Sequence, residues 1–204
     1  MSIHGHFTYK NLAISQNPNV ICFLRSLFAE VKPKRVLEIG TSHGGLTLMM
    51  RDLLDEMGLD DSRIMTYDIY EQVFLKPLVE GRNVDVKTES MFCDEYKRFK
   101  DENIKKTIAE YIQKEGASIV VCDGGNKVSE FRLLADVIKP NDIIMAHDYA
   151  PDSEYFENKM RDKVWNWHEI RDSDISETCD RCGLAPYMKE DALEVAWACF
   201  KKNR

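Results

Sequence analysis

Four groups of residues in this chain have types and spacings that can do chemistry. The first is Glu38-Ile39-Gly40-Thr41-Ser42-His43-Gly44-Gly45, a glycine-rich stretch after an apolar run and before an amphipathic one. Glycines at such a junction let the backbone turn sharply and approach a ligand, while the next helix presents free N–H groups. The second is Asp68, which ends the following apolar run and can accept hydrogen bonds from both hydroxyls of a ribose. The third is Asp123, beside Gly124-Gly125, and the fourth is the pair His147-Asp148. Each has a plainer reading: turn geometry for the glycines, loop capping for Asp123, a satisfied structural histidine for His147, turn initiation for Asp148.

The elements that must position these groups follow from apolar periodicity. Val36–Ile39, Arg63–Tyr67, Val84–Lys87, Ser118–Cys122 and Asp142–Ala146 read as strands, and Ser118–Cys122 is apolar enough to be buried on both faces. Between them Leu46–Met57, Ile104–Lys114 and Glu130–Ile138 show helical spacing, and Val20–Val31 forms a helix ahead of the first strand. Strand alternating with helix predicts right-handed crossovers and a doubly wound parallel sheet, whose ligands settle at the carboxyl ends of the strands. All four groups fall at such ends. Val164–Ile170 and Leu193–Phe200 are expected to be two further strands, an antiparallel pair closing one edge. Trp165, Trp167 and Trp197 alternate within these patterns and read as packing residues.

The loop itself discriminates between nucleotides. A dinucleotide site calls for G-x-G-x-x-G; Ser42 takes the place of the middle glycine, and Glu38 disfavours phosphate while welcoming a cationic amino-acid end. S-adenosylmethionine is favoured over NAD. Val36 to Gly45 resembles motif I of the class I S-adenosylmethionine-dependent methyltransferases. Gln16-Asn17-Pro18, Pro33, Asp123 and His147-Asp148 bring the chain nearest to the cephalosporin hydroxylase-type and catechol O-methyltransferase-like families. The resemblance implies a Rossmann-like three-layer α/β/α sandwich with a seven-stranded, mostly parallel sheet. It implies methyl transfer to an oxygen or nitrogen of a small-molecule acceptor, the alternative being a nucleotide-binding protein with other chemistry or a regulatory role.

Carried over, the resemblance gives a cofactor set of Glu38, Gly40, Thr41, Ser42, Gly44, Asp68, Ile69, Ser90 and Asp123. It assigns a divalent metal, Mg²⁺ or another cation, to Asp123, His147 and Asp148; the same three are expected to form the catalytic centre, with Lys127 as an outside candidate for the base. Two carboxylates converging at adjacent strand ends repel each other unless a cation sits with them, and Mg²⁺ is held by one or two carboxylates. Departures are visible. The catechol enzymes carry a lysine base three residues after the first metal carboxylate; Asn126 stands there, with Lys127 one later. Their second carboxylate and following asparagine are replaced by His147-Asp148.

Length and composition fit one soluble domain over 1–204, an N-terminal helical or lid segment (1–33) and an α/β core (34–204). A net charge of −7 argues against a phosphate-backbone partner. With neither a membrane-length apolar run nor a signal-peptide pattern, the expected location is cytoplasmic. Homo-oligomerisation is left open. Cys179 and Cys182 have ligand-like spacing but no second pair to complete a zinc site.

Overall fold

The computed structural model describes residues 6–203, so residues 1–5 of the expected N-terminal segment lie outside them. The chain opens with an antiparallel hairpin, β1 (His6–Tyr9) and β2 (Leu12–Ser15), turned by Lys10 and Asn11 at φ of 47° and 69°. Positive φ at both turn residues matches the strand twist of a two-residue hairpin. The helix read from the sequence over Val20–Val31 is α1 (Val20–Val31); the hairpin ahead of it was not expected.

The core then alternates. It comprises β3 (Arg35–Ile39), α2 (Gly45–Glu56), β4 (Arg63–Asp68), the short α3 (Lys76–Val79) and β5 (Val84–Thr88). A ribbon, β6 (Phe92–Cys93) and β7 (Arg98–Phe99), precedes α4 (Glu102–Ile112), which Asp101 caps by accepting from the Ile104 N–H. Next come β8 (Ser118–Cys122), α5 (Lys127–Ala135) and β9 (Ile143–Ala146). After a turn of α6 (Ser153–Tyr155) and a π-helical stretch (Phe156–Met160), the chain runs through α7 (Asp172–Cys182), β10 (Leu184–Pro186), α8 (Lys189–Leu193) and β11 (Ala198–Lys202).

The seven-stranded sheet has the order β10-β11-β9-β8-β3-β4-β5, all running one way except β11, which pairs antiparallel with β9 on one side and with β10 on the other. The expected edge pair is present, but its outer member is Leu184–Pro186. Val164–Ile170 is not a strand: it contributes one parallel bridge, Ile170 to Tyr149, beyond the end of β9. Of its tryptophans, Trp165 is buried as expected of a packing residue, whereas Trp167 is 60% exposed, so the alternation does not report one packed face.

Two cores cover the two faces of the sheet, α4, α5 and α7 on one side and α1, α2 and α8 on the other. The period of two in a strand sends Leu37 and Ile39 to the first and Val36 to the second. Glu38 shares the face of Val36, under α2. The chain reverses its direction of travel across the sheet between β3 and β8. Their carboxyl ends therefore part to form a crevice, the usual seat of a ligand in open α/β sheets.

Candidate functional site

That crevice holds a cavity of about 300 Å³. Gly40, Ser42, Asp68, Ile69, Ser90, Asp123 and Gly124 line it, joined by Glu89, Phe92 and Tyr96, which the sequence reading did not single out. Gly40 has φ of 90°, and a Cβ there would lie 2.2 Å from the Asp123 carbonyl oxygen across the crevice. Only glycine permits that approach of two strand ends. Ser42 takes the left-handed region (φ 51°), and its N–H donates to Asp68 Oδ2 at 2.7 Å; the Tyr70 N–H donates to Oδ1 at 2.9 Å. Asp68 thus organises the glycine loop, and each of its oxygens keeps acceptor capacity in a residue that lines the cavity. Ser90 Oγ donates to the Phe92 carbonyl at 2.6 Å, fixing the turn at the far end.

Three residues of the expected cofactor set do not line this cavity. Glu38 is fully buried beneath the loop, where its Oε2 accepts from Thr47 Oγ1 of α2 at 2.5 Å and its Oε1 has no partner among the described residues. Burial pushes its carboxyl up to about 7. Strand alternation is the reason: a residue next to Leu37 and Ile39 points to the opposite face. Thr41 is buried too and shares a 2.6 Å hydrogen bond with Thr66. Gly44 caps α2 at φ of 79°, packed against Leu75.

At the Asp123 end the cavity meets a polar centre. Asp123, His147 and Asp148 come together as expected: His147 Nδ1 is 3.3 Å from Asp123 Oδ1 and 3.3 Å from Asp148 Oδ1. Two carboxylates at one ring nitrogen fix the proton there and leave the lone pair on Nε2, which is buried without a partner among the described residues. Asp148 sits in the left-handed region (φ 57°), a conformation that turns the chain out of β9 and aims its carboxylate back.

The remaining contacts come from distant segments. Gln16, just after β2, donates to Asp123 Oδ2 at 2.6 Å and accepts from Trp197 Nε1 at 3.0 Å. Trp165 Nε1 donates to Asp148 Oδ1 at 2.7 Å, so this residue, expected only to pack, also positions a carboxylate. Lys127 Nζ lies 3.0 Å from Asp148 Oδ2 and 3.3 Å from Glu169 Oε2, and donates to the Gly124 carbonyl at 3.0 Å. Asn126, standing where the resemblance expects a base, caps α5 by accepting from the Ser129 N–H. The charges follow from these contacts. Burial raises the Asp123 carboxyl, against the pull of His147 and Lys127. Burial works the same way on Asp148 but is outweighed by His147, Lys127 and Trp165, which hold it below the ordinary carboxylate range. Burial works against the Lys127 ammonium, yet Asp148, Asp123 and Glu169 hold it well above an ordinary lysine. A lysine so held keeps its proton, which argues against Lys127, the outside candidate, as a base.

The expected metal set does not fit this arrangement. Among the described residues no group of three or more His, Cys, Asp and Glu side chains is placed to hold a metal. His147 turns a protonated nitrogen, not a lone pair, toward the two carboxylates, and every oxygen of Asp123 and Asp148 already has a protein donor. Cys179 and Cys182 lie buried on α7, with Cys182 Sγ 3.3 Å from Asp136 Oδ1.

Beside the glycine loop, a second, more apolar cavity of about 1020 Å³ opens between the N-terminal hairpin and the segment after β4. It shares Ser42 and Tyr70 with the first and is walled by Leu12, Val73 and Phe74.

Residues 37–149, more than half the chain, match the family model described as a methyltransferase domain. No curated protein matches the chain by sequence. Among solved structures, CmcI in an apo form superposes with a TM-score of 0.68 at 14% identity, covering 97% of this chain and 76% of that one. A Mg-SAM form of CmcI gives 0.65 at 15%, covering 97% and 77%. An O-methyltransferase family protein from Burkholderia thailandensis gives 0.57 at 7%, covering 90% and 55%. At these identities the likeness establishes the Rossmann-like fold.

Proposed function

The chain belongs to the methyltransferase-domain family, as an S-adenosylmethionine-dependent enzyme, and we propose that it methylates an oxygen or nitrogen of a small-molecule acceptor. One observation carries the reading of the site: the cavity at the glycine loop is walled by three acids, Asp68, Glu89 and Asp123, and by no lysine, arginine or histidine. Such a wall repels a pyrophosphate and suits a nucleoside that carries a sulfonium and an ammonium group. The Gly40 cradle and the two free faces of Asp68 fit the same ligand.

When bound, S-adenosylmethionine supplies an electrophilic methyl, which passes to the acceptor as its C–S bond breaks and S-adenosylhomocysteine is left. The chain's own residues do the rest. Asp68 holds the ribose hydroxyls, the turn from Ser90 to Phe92 flanks the base, and Gly40 with Ser42 admits the amino-acid end. Asp123, steadied by Gln16 and by the His147 N–H, faces the transfer point and receives the proton that the acceptor loses. Its raised proton affinity suits it to that task. Asp148, Trp165 and Lys127 hold His147 and Asp123 in place, so catalysis is positioning plus electrostatics. The implied divalent cation finds no fit in this donor set, and no step is assigned to it.

Among the described residues no helix is long and apolar enough to cross a membrane. All six cysteines are unpaired, which suits the reducing cytoplasm. The test is release of S-adenosylhomocysteine with a panel of small phenols, carboxylic acids and amines. Turnover that disappears in Asp123→Asn supports the proposal. Binding of S-adenosylmethionine without turnover on any acceptor, unaltered by Asp123→Asn, would point instead to a regulatory nucleotide-binding role.

A further inference from the structure

Three carboxylates, Asp123, Asp148 and Glu169, converge at the carboxyl ends of β8 and β9, an arrangement that calls for positive charge. The cation present is a side chain. The Lys127 ammonium has three donors, and each has its acceptor: Asp148 Oδ2 at 3.0 Å, Glu169 Oε2 at 3.3 Å and the Gly124 carbonyl at 3.0 Å. Its side chain is 11% exposed, and its backbone N–H donates to Glu169 Oε1 at 3.0 Å, so both ends of the residue are pinned. The other oxygens are taken by Gln16, His147 and Trp165.

A divalent ion entering here would have to displace the ammonium from Asp148 and Gln16 from Asp123. To gain a nitrogen ligand it would have to drive the His147 proton from Nδ1 to Nε2, which is buried with no acceptor among the described residues. Mg²⁺ in particular needs near-octahedral oxygen ligation at short distance, and an ammonium seated among the same carboxylates repels it. We propose that Lys127 is the resident cation of this centre and that the chain positions its acceptor without a divalent metal. The metal-independence follows from the donor set alone; its consequence for catalysis rests on the methyl-transfer reading above. That consequence concerns the acceptor: with no ion to chelate, a vicinal diol has no advantage over an acceptor presenting a single hydroxyl, carboxylate or amine to Asp123.

The experiment is a titration of chelator-treated protein with Mn²⁺, read by its electron paramagnetic resonance signal, beside a calorimetric titration with S-adenosylmethionine in excess chelator. Wild type is expected to show no stoichiometric Mn²⁺ site tighter than about 1 mM. Lys127→Met, which leaves three carboxylates without their cation, is expected to gain affinity at least ~10-fold. Lys127→Arg keeps the charge and is expected to stay metal-free. One Mn²⁺ per wild-type chain, bound about 100-fold tighter than that limit and lost in Asp123→Asn, would overturn the proposal. A folded Lys127→Met that gains nothing would overturn it too. If Lys127→Met does not fold, wild type and Lys127→Arg decide. Failure of S-adenosylmethionine to bind in chelator would bring down the methyl-transfer reading, while the Mn²⁺ arm still decides the role of Lys127.

Discussion

Replacing Asp68 by alanine removes two acceptors at once, and the structure allows the loss to be sized. Each carboxylate oxygen accepts one backbone N–H, from Ser42 and from Tyr70, and each has a lone pair left for a ribose hydroxyl. Hydrogen bonds to a charged group contribute about 1.5–3 kcal/mol apiece when protected, and less at a half-open site. Two ribose bonds at the low end give about 3 kcal/mol, a ~100-fold rise in Kd for S-adenosylmethionine. Asp68→Asn keeps one acceptor and places an N–H₂ against the other backbone N–H, so roughly a tenfold rise is expected. Because Asp68 is half-buried and the freed N–H groups can turn to water, stability should fall by less than about 1 kcal/mol, a few degrees in Tm for a chain of this size. Calorimetric titration of wild type and both variants, with melts run in parallel, reads affinity apart from folding. An Asp68→Ala protein that melts normally and binds within threefold of wild type would refute the assignment of the nucleoside to this cavity.

Other perturbations test the frame around the cavity. Glu38, pushed up to about 7 by burial, binds its proton in the folded chain over a pH range where the unfolded chain has released it. Stability should therefore fall as pH rises from about 4.5 to about 7, by about 3 kcal/mol for this group. Urea denaturation at pH 5 and pH 8 should show Glu38→Gln losing most of its share of that drop; an unchanged difference between the two pH values would mean Glu38 is not the proton holder. Glu130, also pushed up to about 7 by burial, adds to the drop in the same direction and should persist in Glu38→Gln. Trp165→Phe keeps a ring beside His147 but withdraws a donor from buried Asp148, and should cost about 1.5–3 kcal/mol in the same assay. Gly40→Ala drives a methyl group into the Asp123 carbonyl at a positive φ; a loss of at least ~2 kcal/mol is expected, together with loss of S-adenosylmethionine binding.

Much of this arrangement is legible in the residues before any coordinates. Apolar runs such as Ser118–Cys122 report strands buried on both faces, and a glycine loop followed by an acid at the next strand end reports a crevice at the switch point. Contacts that depend on register and on distant segments are less visible. Glu38 belongs to the motif by sequence, yet the alternation of β3 turns it under α2; counting from Leu37 and Ile39, both core residues on one face, would have shown this. The hairpin of residues 6–15 has no Asn-Gly or Asp-Gly at its turn, only Lys10-Asn11, so its signal is weak. Trp165 and Glu169 reach the centre because Ile170 bridges to Tyr149 and the Glu169 N–H donates to the Asp148 carbonyl at 2.7 Å. No local pattern encodes that docking.

These contacts also explain why the centre stays intact while lying partly open to a cavity. Buried carboxylates at parallel strand ends are costly unless each is paired, and removing one partner of such a pair costs about 3–5 kcal/mol. Here the partners come from four separate places: Gln16 from the N-terminal segment, Lys127 from the start of α5, His147 from the end of β9, and Trp165 from the stretch between the π-helix and α7. Each can keep its place only if its own segment is docked. The polar centre and the packing of the flanking segments therefore stabilise each other. Charge balance sets the direction of binding as well. Lys127 is consumed by Asp148 and Glu169, so the negative charge that faces the cavity is that of Asp123, Asp68 and Glu89. A ligand with a positive centre completes this balance, whereas one bearing phosphates adds to the excess, which Lys100 Nζ, 3.8 Å from Glu89 Oε2, offsets only in part.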